Sequence, residues 1–380
     1  MSGGVDSSVT AALLVQQGYD VIGMMMRLWS ENCDTEGGSG GPVTSNRCCT
    51  PDQMADARRI ADQLGIPFYV IDTQDVFRRT IVQFFTDRYA AGDTPNPCLE
   101  CNRHIRFEWL LNHALALDAN FLATGHYARV QRDPAGDPAS PVRLLRGLDP
   151  GKDQSYVLSV LTQDKLRHAM FPIGEYEKPR VRELAAEFGL PVASKHDSQD
   201  LCFLADGDYR RFLREHIPAA MQPGPILLRD HAQTDGEFIG EFTELGQHTG
   251  LPNYTIGQRK GLGLSYHEPL YVLGSDPARN ALIVGPREML GANTLIAERM
   301  NWIAGSPPVA EGESLRADVQ IRYTAQAAPA TVFPLPPDEH GDRMRVVFDE
   351  PLRDITPGQG AVVYVDDECL GGGIIARVER

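Results

Sequence analysis

Two stretches of this 380-residue chain hold residues whose types and spacing could do chemistry. The first is Ser2-Gly3-Gly4-Val5-Asp6-Ser7, a glycine-rich turn that runs straight into an apolar helical pattern. Backbone N–H groups gathered by such a turn, backed by the positive end of a helix, make a cradle for a phosphate. The stretch lacks the Gly-Lys-Ser/Thr ending with which Walker loops reach the β and γ phosphates, and it lacks the three-glycine dinucleotide fingerprint. What remains is a short anion cradle with hydroxyls on Ser2, Ser7 and Ser8 and a carboxylate, Asp6, placed to face a magnesium ion. The plainer reading is a Ser/Asp-capped helix after a glycine turn.

The second stretch is TPNPCLECNRHIRF, residues 94–107. Its prolines suggest an extended loop, Asn102 is a natural helix cap, and Cys101 is expected just before a helix N-terminus. That positive helix end, with Arg103 and Arg106 near, should lower the Cys101 pKa and favour the thiolate. Cys98-x-x-Cys101 also reads as half of a structural zinc site, but no second pair completes it at the usual spacing, and Cys48-Cys49 are poorly placed to join. A third candidate, Cys202, lies in KHDSQDLCFL, where a lone cysteine is otherwise a small buried apolar residue.

These side chains need a scaffold, and residues 5–191 supply an alternation of helix and strand. SSVTAALLVQQG has helical spacing and ends in Gly18, and DVIGMMMRL is an apolar run of strand length. PDQMADARRIADQLG follows with Pro51 in its first turn and Gly65 past its end, then the strand PFYVIDT, the helix QDVFRRTIVQFFTDRYAAG and the short strand ANFLATG. Such alternation implies an α/β domain, a doubly wound parallel sheet whose ligands sit beyond the carboxyl ends of the strands. After about residue 208 short apolar stretches come with Gly, Pro and Asp turns, including the hairpin EPLYVLGSDPARNALIVGP. The expectation is a catalytic domain at 1–208, a small central domain at 209–278 and a β-barrel at 279–380. The stretch EGGSGGPVTS has flexible-linker composition.

A net charge of −15 argues against a protein that coats nucleic acid non-specifically. The middle of the chain is relatively basic, with 13 Lys and Arg against 13 Asp and Glu over residues 101–200, where residues 1–100 hold 7 against 13. Seven scattered cysteines do not make a secreted disulfide scaffold, no apolar run approaches membrane-spanning length, and a cytoplasmic protein is expected.

SGGVDSS resembles the signature of the PP-loop ATP pyrophosphatases, which cleave ATP between the α and β phosphates and leave AMP on a substrate oxygen. Together with TPNPCLECN, ATGHY, GLDPGKDQSYVL, FPIGEYEKPRVRELA, DSQDLCF, YTIGQRKGLG and CLGGGII, in order along almost the whole chain, it resembles the tRNA-specific 2-thiouridylase family. The resemblance implies a PP-loop catalytic domain, a small central domain and a C-terminal barrel. It implies ATP and Mg²⁺, with ATP bound by Ser2, Gly3, Gly4, Val5, Asp6, Ser7, Met26 and Gly125. Asn96, Pro97 and Cys98 would lie against the target base; Lys152, Asp153, Gln154, Arg322 and Tyr323 would touch tRNA. Cys101 corresponds to the nucleophile and Cys202 to the persulfide carrier. Some relatives have Asp at position 98, and the Cys here gives three thiols, Cys98, Cys101 and Cys202, which could instead hold an iron–sulfur cluster.

The chemistry implied is adenylation of the C2 oxygen of a wobble uridine, followed by sulfur transfer that leaves a Cys101–Cys202 disulfide or releases sulfide in the pocket. Implied partners are tRNAs of the lysine, glutamate and glutamine type, entering by the anticodon loop, and a cysteine desulfurase or sulfur-relay protein. Trp29, Tyr127 and Phe203 are candidates to stack on the base or else core residues, Trp29 above all; His126 either contacts nucleotide or caps a loop; KPRVR, RRFLR and QRKG suit phosphate contacts, though each alone also reads as a solvated face. The alternatives are another PP-loop adenylating ligase, or an iron–sulfur or tRNA-binding protein without activity. Family members carry a short apolar strand before the methionine of this loop. The start at Met1 is therefore expected to lie several residues late, leaving the sheet without a central strand.

Overall fold

A computed structural model describes residues 1–31, 51–137, 139–193, 195, 201–204, 206–229 and 242–379. It divides into two units, Met1–Val82 with Glu100–Tyr209 and Asp367–Cys369, and Gln83–Leu99 with Arg210–Asp366 and Leu370–Arg380. The linker-like stretch 36–45 and the cysteines Cys33, Cys48 and Cys49 lie outside the described residues.

In the first unit the apolar run after the glycine turn forms α1 (Val5–Gln16), buried along most of its length from Val5 to Leu14. Gly18, at φ +82°, takes the left-handed conformation that ends it. β1 (Gly23–Arg27) and β2 (Phe68–Asp72) pair in parallel, from Gly23 opposite Phe68 to Arg27 opposite Asp72, and α2 (Pro51–Leu64) lies between them in the chain. β3 (Leu122–Ala123) is followed by an antiparallel hairpin of β4 (Ala128–Gln131) and β5 (Arg143–Arg146), which takes Glu368 and Cys369 alongside. β6 (Ala169–Met170) pairs in parallel with β3. Among the described residues of this unit the parallel strands form two two-stranded ladders, β1 with β2 and β3 with β6, and the Met1 amine donates to the carbonyl of Met24 on β1. α3 (Lys178–Glu187) packs on α1 and α2 through a shared core of Val5, Val9, Ile60, Val181, Leu184 and Ala185. That packing fixes the start of α3 beside the start of α1.

In the second unit, β7 (Gly224–Arg229), β8 (Phe242–His248), β9 (Tyr271–Asp276) and β10 (Ala281–Gly285) form a sheet in the order β8-β7-β10-β9. The expected division at residue 278 falls in the turn between β9 and β10, so the whole hairpin belongs with this sheet. Six further strands close into a barrel: β11 (Ala292–Trp302), β12 (Leu315–Gln320), β13 (Ala328–Asp338), β14 (Gly341–Leu352), β15 (Gly360–Val365) and β16 (Glu368–Glu379). They run in the order β11-β14-β13-β12-β15-β16, and β16 returns to β11, which removes both edges. Its interior is filled by alternate residues such as Leu295, Val319, Val332, Met344, Val346 and Val363. No helix among the described residues is long and apolar enough to cross a membrane.

His248, buried at the end of β8, clamps the central sheet. Its Nδ1 accepts from the Gly250 N–H at 3.0 Å, so Nε2 carries the proton donated to the Asn280 carbonyl at 2.9 Å. Burial lowers its pKa below 6.5, against the opposing pull of the Asn280 carbonyl. The unfolded chain therefore takes up a proton before the folded one does. The clamp's contribution is full above the unfolded pKa, declines as pH drops below that value and is lost as pH falls through the lower folded pKa. Urea unfolding of the wild type should show a midpoint that drops between about pH 7.5 and about pH 5.5, and His248→Gln should flatten that drop by up to one proton's worth. Equal pH dependence in the two proteins would remove His248 as the cause.

Candidate active site

The loop at residues 2–7 has the geometry of an anion cradle. Gly3 stands at φ +69°, and a Cβ there would lie 2.4 Å from the Gln53 carbonyl oxygen, so only glycine fits. Ser7 Oγ accepts from the Ser2 N–H at 3.0 Å and lies 3.2 Å from Ser2 Oγ, while Ser8 Oγ donates to the Gly4 carbonyl at 2.7 Å. No side chain caps α1, so the Ser/Asp-capped alternative is not what forms. The first-turn amides keep their capacity for an anion, at the positive end of a twelve-residue helix. Two outside elements brace the cradle. Gly125 lies so close that a Cβ would be 2.9 Å from the backbone of Asp6 and Ser7, and Lys195 donates to the Gly3 carbonyl at 2.8 Å and pairs with Asp56 at 3.2 Å. Met26, on β1 opposite Ile71, is half-buried in the same unit.

Asp6 departs from expectation. Its carboxylate is held by the Lys178 ammonium at 2.7 and 2.9 Å and by the Tyr127 hydroxyl at 2.8 Å. Lys178 is 7 % exposed and also lies over the Tyr127 ring, 5.6 Å from its centroid. Lys178 is thus an internal counter-ion to Asp6 rather than a solvated member of the basic run KPRVR, and Tyr127, 2 % exposed, is a buried donor to the same carboxylate. One signal was available. Lys178 is the first residue of α3, at a positive helix end where a cation is disfavoured unless a carboxylate offsets it. The rest of KPRVR is likewise engaged within the fold: Arg180 pairs with Glu183 and Glu187, and Arg182 donates to the carbonyls of Ala193 and Lys195.

The cysteine segment also differs from its sequence reading. The helix begins at Pro97, not after Cys101, and its cap is Asn96, whose Oδ1 accepts from the N–H groups of Cys98 at 3.1 Å and Leu99 at 3.4 Å. Asn102 is no cap; it is buried and donates to the Val157 carbonyl at 3.1 Å. The chain continues from Cys101 to Leu110 as a wide π-helical stretch, a form often met at functional sites. Cys101 is buried, and burial raises its thiol pKa above the usual range, while the Arg106 guanidinium pulls the other way by charge and hydrogen bond. The expected low-pKa thiolate is thus corrected: desolvation outweighs the cation, and the helix end lies a turn away. Cys202 is half-buried, Cys98 is exposed, and both are thiols, as are Cys101 and Cys369.

Of the expected base and nucleotide contacts, Phe203 packs on Phe77 in the core, 1 % exposed, and does not present a stacking face. His126 is 6 % exposed, 2.7 Å from the Thr124 hydroxyl and set between Phe107 and Phe171. Burial lowers its pKa well below 6.5, so it stays neutral as a core residue. Trp29 is half-buried.

The expected tRNA-contacting trio divides by role. Asp153 accepts from the N–H groups of Gly147 at 2.9 Å and Ser155 at 3.0 Å, from the Ser155 hydroxyl, and from Arg146. Gln154 exchanges two bonds with the Tyr127 backbone, while Lys152 is half-exposed. Asp153 and Gln154 thus shape the turn that carries Lys152. In the second unit, Arg322 donates to the Thr356 hydroxyl and Tyr323 is 42 % exposed. The neighbouring turn holds the chain before Asn96: the Thr94 N–H donates to the Pro357 carbonyl at 3.3 Å, and Gln359 donates to the Thr94 carbonyl at 2.7 Å. Asn96, Pro97 and Cys98 and the pair Arg322 and Tyr323 therefore flank one turn at 356–359. Their separation by more than 200 residues hides this in the sequence.

Three domain families match the chain in succession: the tRNA methyl transferase HUP domain over residues 1–206, the tRNA methyl transferase PRC-barrel domain over 210–286 and the aminomethyltransferase beta-barrel domain over 292–375. Among curated proteins, the tRNA-specific 2-thiouridylase MnmA of Roseiflexus castenholzii is 48% identical over 99% of this chain and 98% of its own length. The protein of the same name from Heliobacterium modesticaldum is 46% identical over 99% of this chain and 91% of its length. That from Moorella thermoacetica is 46% identical over 100% and 99%.

Proposed function

The chain belongs to the tRNA-specific 2-thiouridylase family, and on that premise we propose that it converts a wobble uridine of tRNA to 2-thiouridine at the expense of ATP. The observation that carries the reading is the uncapped first turn of α1, shaped by Gly3 and Gly125, in the same unit as Cys101 and Cys202. A urea-like C2 carbonyl resists nucleophiles, and its oxygen is a poor leaving group. Attack of that oxygen on the α-phosphorus of ATP expels pyrophosphate and converts the oxygen into AMP. The amides of Val5, Asp6 and Ser7 and the hydroxyls of Ser2 and Ser7 receive the departing negative charge, with Met26 and Gly125 beside the nucleotide. Mg²⁺, held by Asp6 once that carboxylate is released, would supply further charge neutralisation.

Sulfur then arrives as a Cys202 persulfide. Its outer sulfur attacks C2 and AMP leaves. The Cys101 thiolate next attacks the inner sulfur, releasing 2-thiouridine and leaving a Cys101–Cys202 disulfide for a cellular thiol to reduce. Arg106 is the cation available to stabilise that thiolate as it forms. Asn96, Pro97 and Cys98 face the extruded base, and Lys152, Arg322 and Tyr323 meet the anticodon stem and loop, with Asp153 and Gln154 fixing the turn beneath Lys152. The tRNAs are those of the lysine, glutamate and glutamine type, the persulfide comes from a cysteine desulfurase or sulfur-relay protein, and the reaction takes place in the cytoplasm. The exposed Cys98 leaves one competing sulfur source, an iron–sulfur cluster on Cys98, Cys101 and Cys202, which would show as bound iron after anaerobic reconstitution.

The test is mass analysis of wobble nucleosides from tRNA treated with protein, a persulfide donor and ATP. 2-Thiouridine should appear only with ATP, with one AMP and one pyrophosphate per sulfur inserted. Thiolation that proceeds without ATP, or ATP cleavage that leaves the uridine unchanged, would overturn the proposal.

A further inference from the structure

We propose that Lys178 is a second phosphate-binding residue that changes partner, from the carboxylate of Asp6 in the free protein to the polyphosphate of ATP in the complex; this rests on nucleotide binding at the loop of residues 2–7. The ammonium is 2.7 and 2.9 Å from the two oxygens of Asp6, and Tyr127 donates to one of them at 2.8 Å. Asp6 is in the first turn of α1, so the ammonium is paired with a residue of the candidate anion cradle itself.

The backbone beneath Lys178 is fixed. Its N–H donates to the Asp149 carboxylate at 3.0 Å, and α3 shares a core with α1. The four-methylene stem is the part that can swing, which suits a compact point charge with rotatable donors. The carboxylate has less freedom. The Asp6 backbone is wedged against Gly125, where even a Cβ would lie 2.9 Å away.

Charge determines the direction of the exchange. In the free protein the half-exposed Asp6 and the buried Lys178 neutralise each other, which satisfies the rule that a buried cation is paired. When ATP and a divalent ion arrive, the ion competes with Lys178 for Asp6 and repels the ammonium, while the phosphates offer new anionic oxygens a short swing away. Both charges then remain compensated: carboxylate on metal, ammonium on phosphate. Without the metal, Asp6 and the phosphates compete for the Lys178 ammonium, and nucleotide binding is held back. This couples tight nucleotide binding to the divalent ion.

The exchange gives a result that a purely structural ion pair would not. The probe is ATP, titrated calorimetrically with Mg²⁺ and with EDTA, against the full chain, Lys178→Met, Asp6→Asn and the double variant. Lys178→Met should weaken ATP binding about 10- to 100-fold, the range of a charge-assisted hydrogen bond. Asp6→Asn should tighten ATP binding several-fold in EDTA, because no carboxylate at position 6 then competes with the phosphates for Lys178, and should lose the Mg²⁺ enhancement. The double variant should bind like Lys178→Met. Lys178→Arg, which retains the pair, covers the case in which Lys178→Met does not fold; it should keep most of the metal-free affinity. Tight binding by the wild type with unchanged affinity in folded Lys178→Met overturns the exchange alone, as does weaker metal-free binding in Asp6→Asn. No ATP binding by the wild type overturns the nucleotide site as well.

Discussion

Cys202→Ala is expected to abolish tRNA thiolation while ATP cleavage continues. The variant keeps the loop of residues 2–7, so the uridine oxygen is still adenylated and then hydrolysed. Loss of the sulfur carrier should lower 2-thiouridine formation by roughly 10³-fold or more, the scale seen when a nucleophile is removed. Cys101→Ala should differ in kind. The persulfide of Cys202 can still form and attack C2, so tRNA should accumulate covalently joined to the protein through Cys202, releasable by an added thiol. Gel analysis under non-reducing conditions, with a ³⁵S label on the donor, separates the two outcomes. Because burial raises the Cys101 pKa, release in the wild type should accelerate as pH rises toward the thiol's elevated value, and Cys101→Ala should remove that pH dependence. Normal thiolation by Cys202→Ala would exclude the persulfide role.

Gly125→Ala is expected to damage nucleotide binding out of proportion to its size. The added methyl would sit 2.9 Å from the backbone of Asp6 and Ser7 and 3.1 Å from Asp6 Cβ. The nearest atoms are main chain in a buried helix start, which cannot rotate aside as a long side chain would. Relief requires α1 to shift at its first turn, and overpacking of this sort costs about 1–3 kcal/mol, or roughly 5- to 150-fold in an equilibrium constant. ATP affinity should fall by that factor, with a smaller effect on the binding of tRNA alone. Calorimetric ATP titration and a gel-shift with tRNA give the two numbers. ATP affinity equal to wild type would mean that the strand end bearing Gly125 does not brace the cradle.

At Cys101, His126, Phe203 and Lys178 residue type and local sequence leave burial undecided, and burial sets the Cys101 thiol pKa, the charge of His126 and the surroundings of Phe203 and Lys178. A cysteine near arginines reads as a thiolate until its desolvation is known. A lysine in a basic run reads as solvated until its carboxylate, 172 positions away, is found beside it. Asn102 was mistaken for a cap because two asparagines bracket the segment and both suit the role. Only the backbone distinguishes them, and it starts the helix at Pro97.

By itself the sequence determined the glycine turn at residues 2–7 that leads into α1, the alternation of α1, β1, α2 and β2, the β-rich second half and the family. These depend on local signals: glycine where φ is positive, apolar periodicity, proline at helix starts, and motifs of contiguous residues. Only the tertiary structure decided which carboxylates and cations meet, that the turn at 356–359 unites Asn96–Cys98 with Arg322 and Tyr323, and that β10 completes the central sheet rather than opening the barrel. Those outcomes depend on chain segments far apart in sequence coming within a few ångströms. Hydrogen bonds and desolvation act at that distance, and residue order does not encode it.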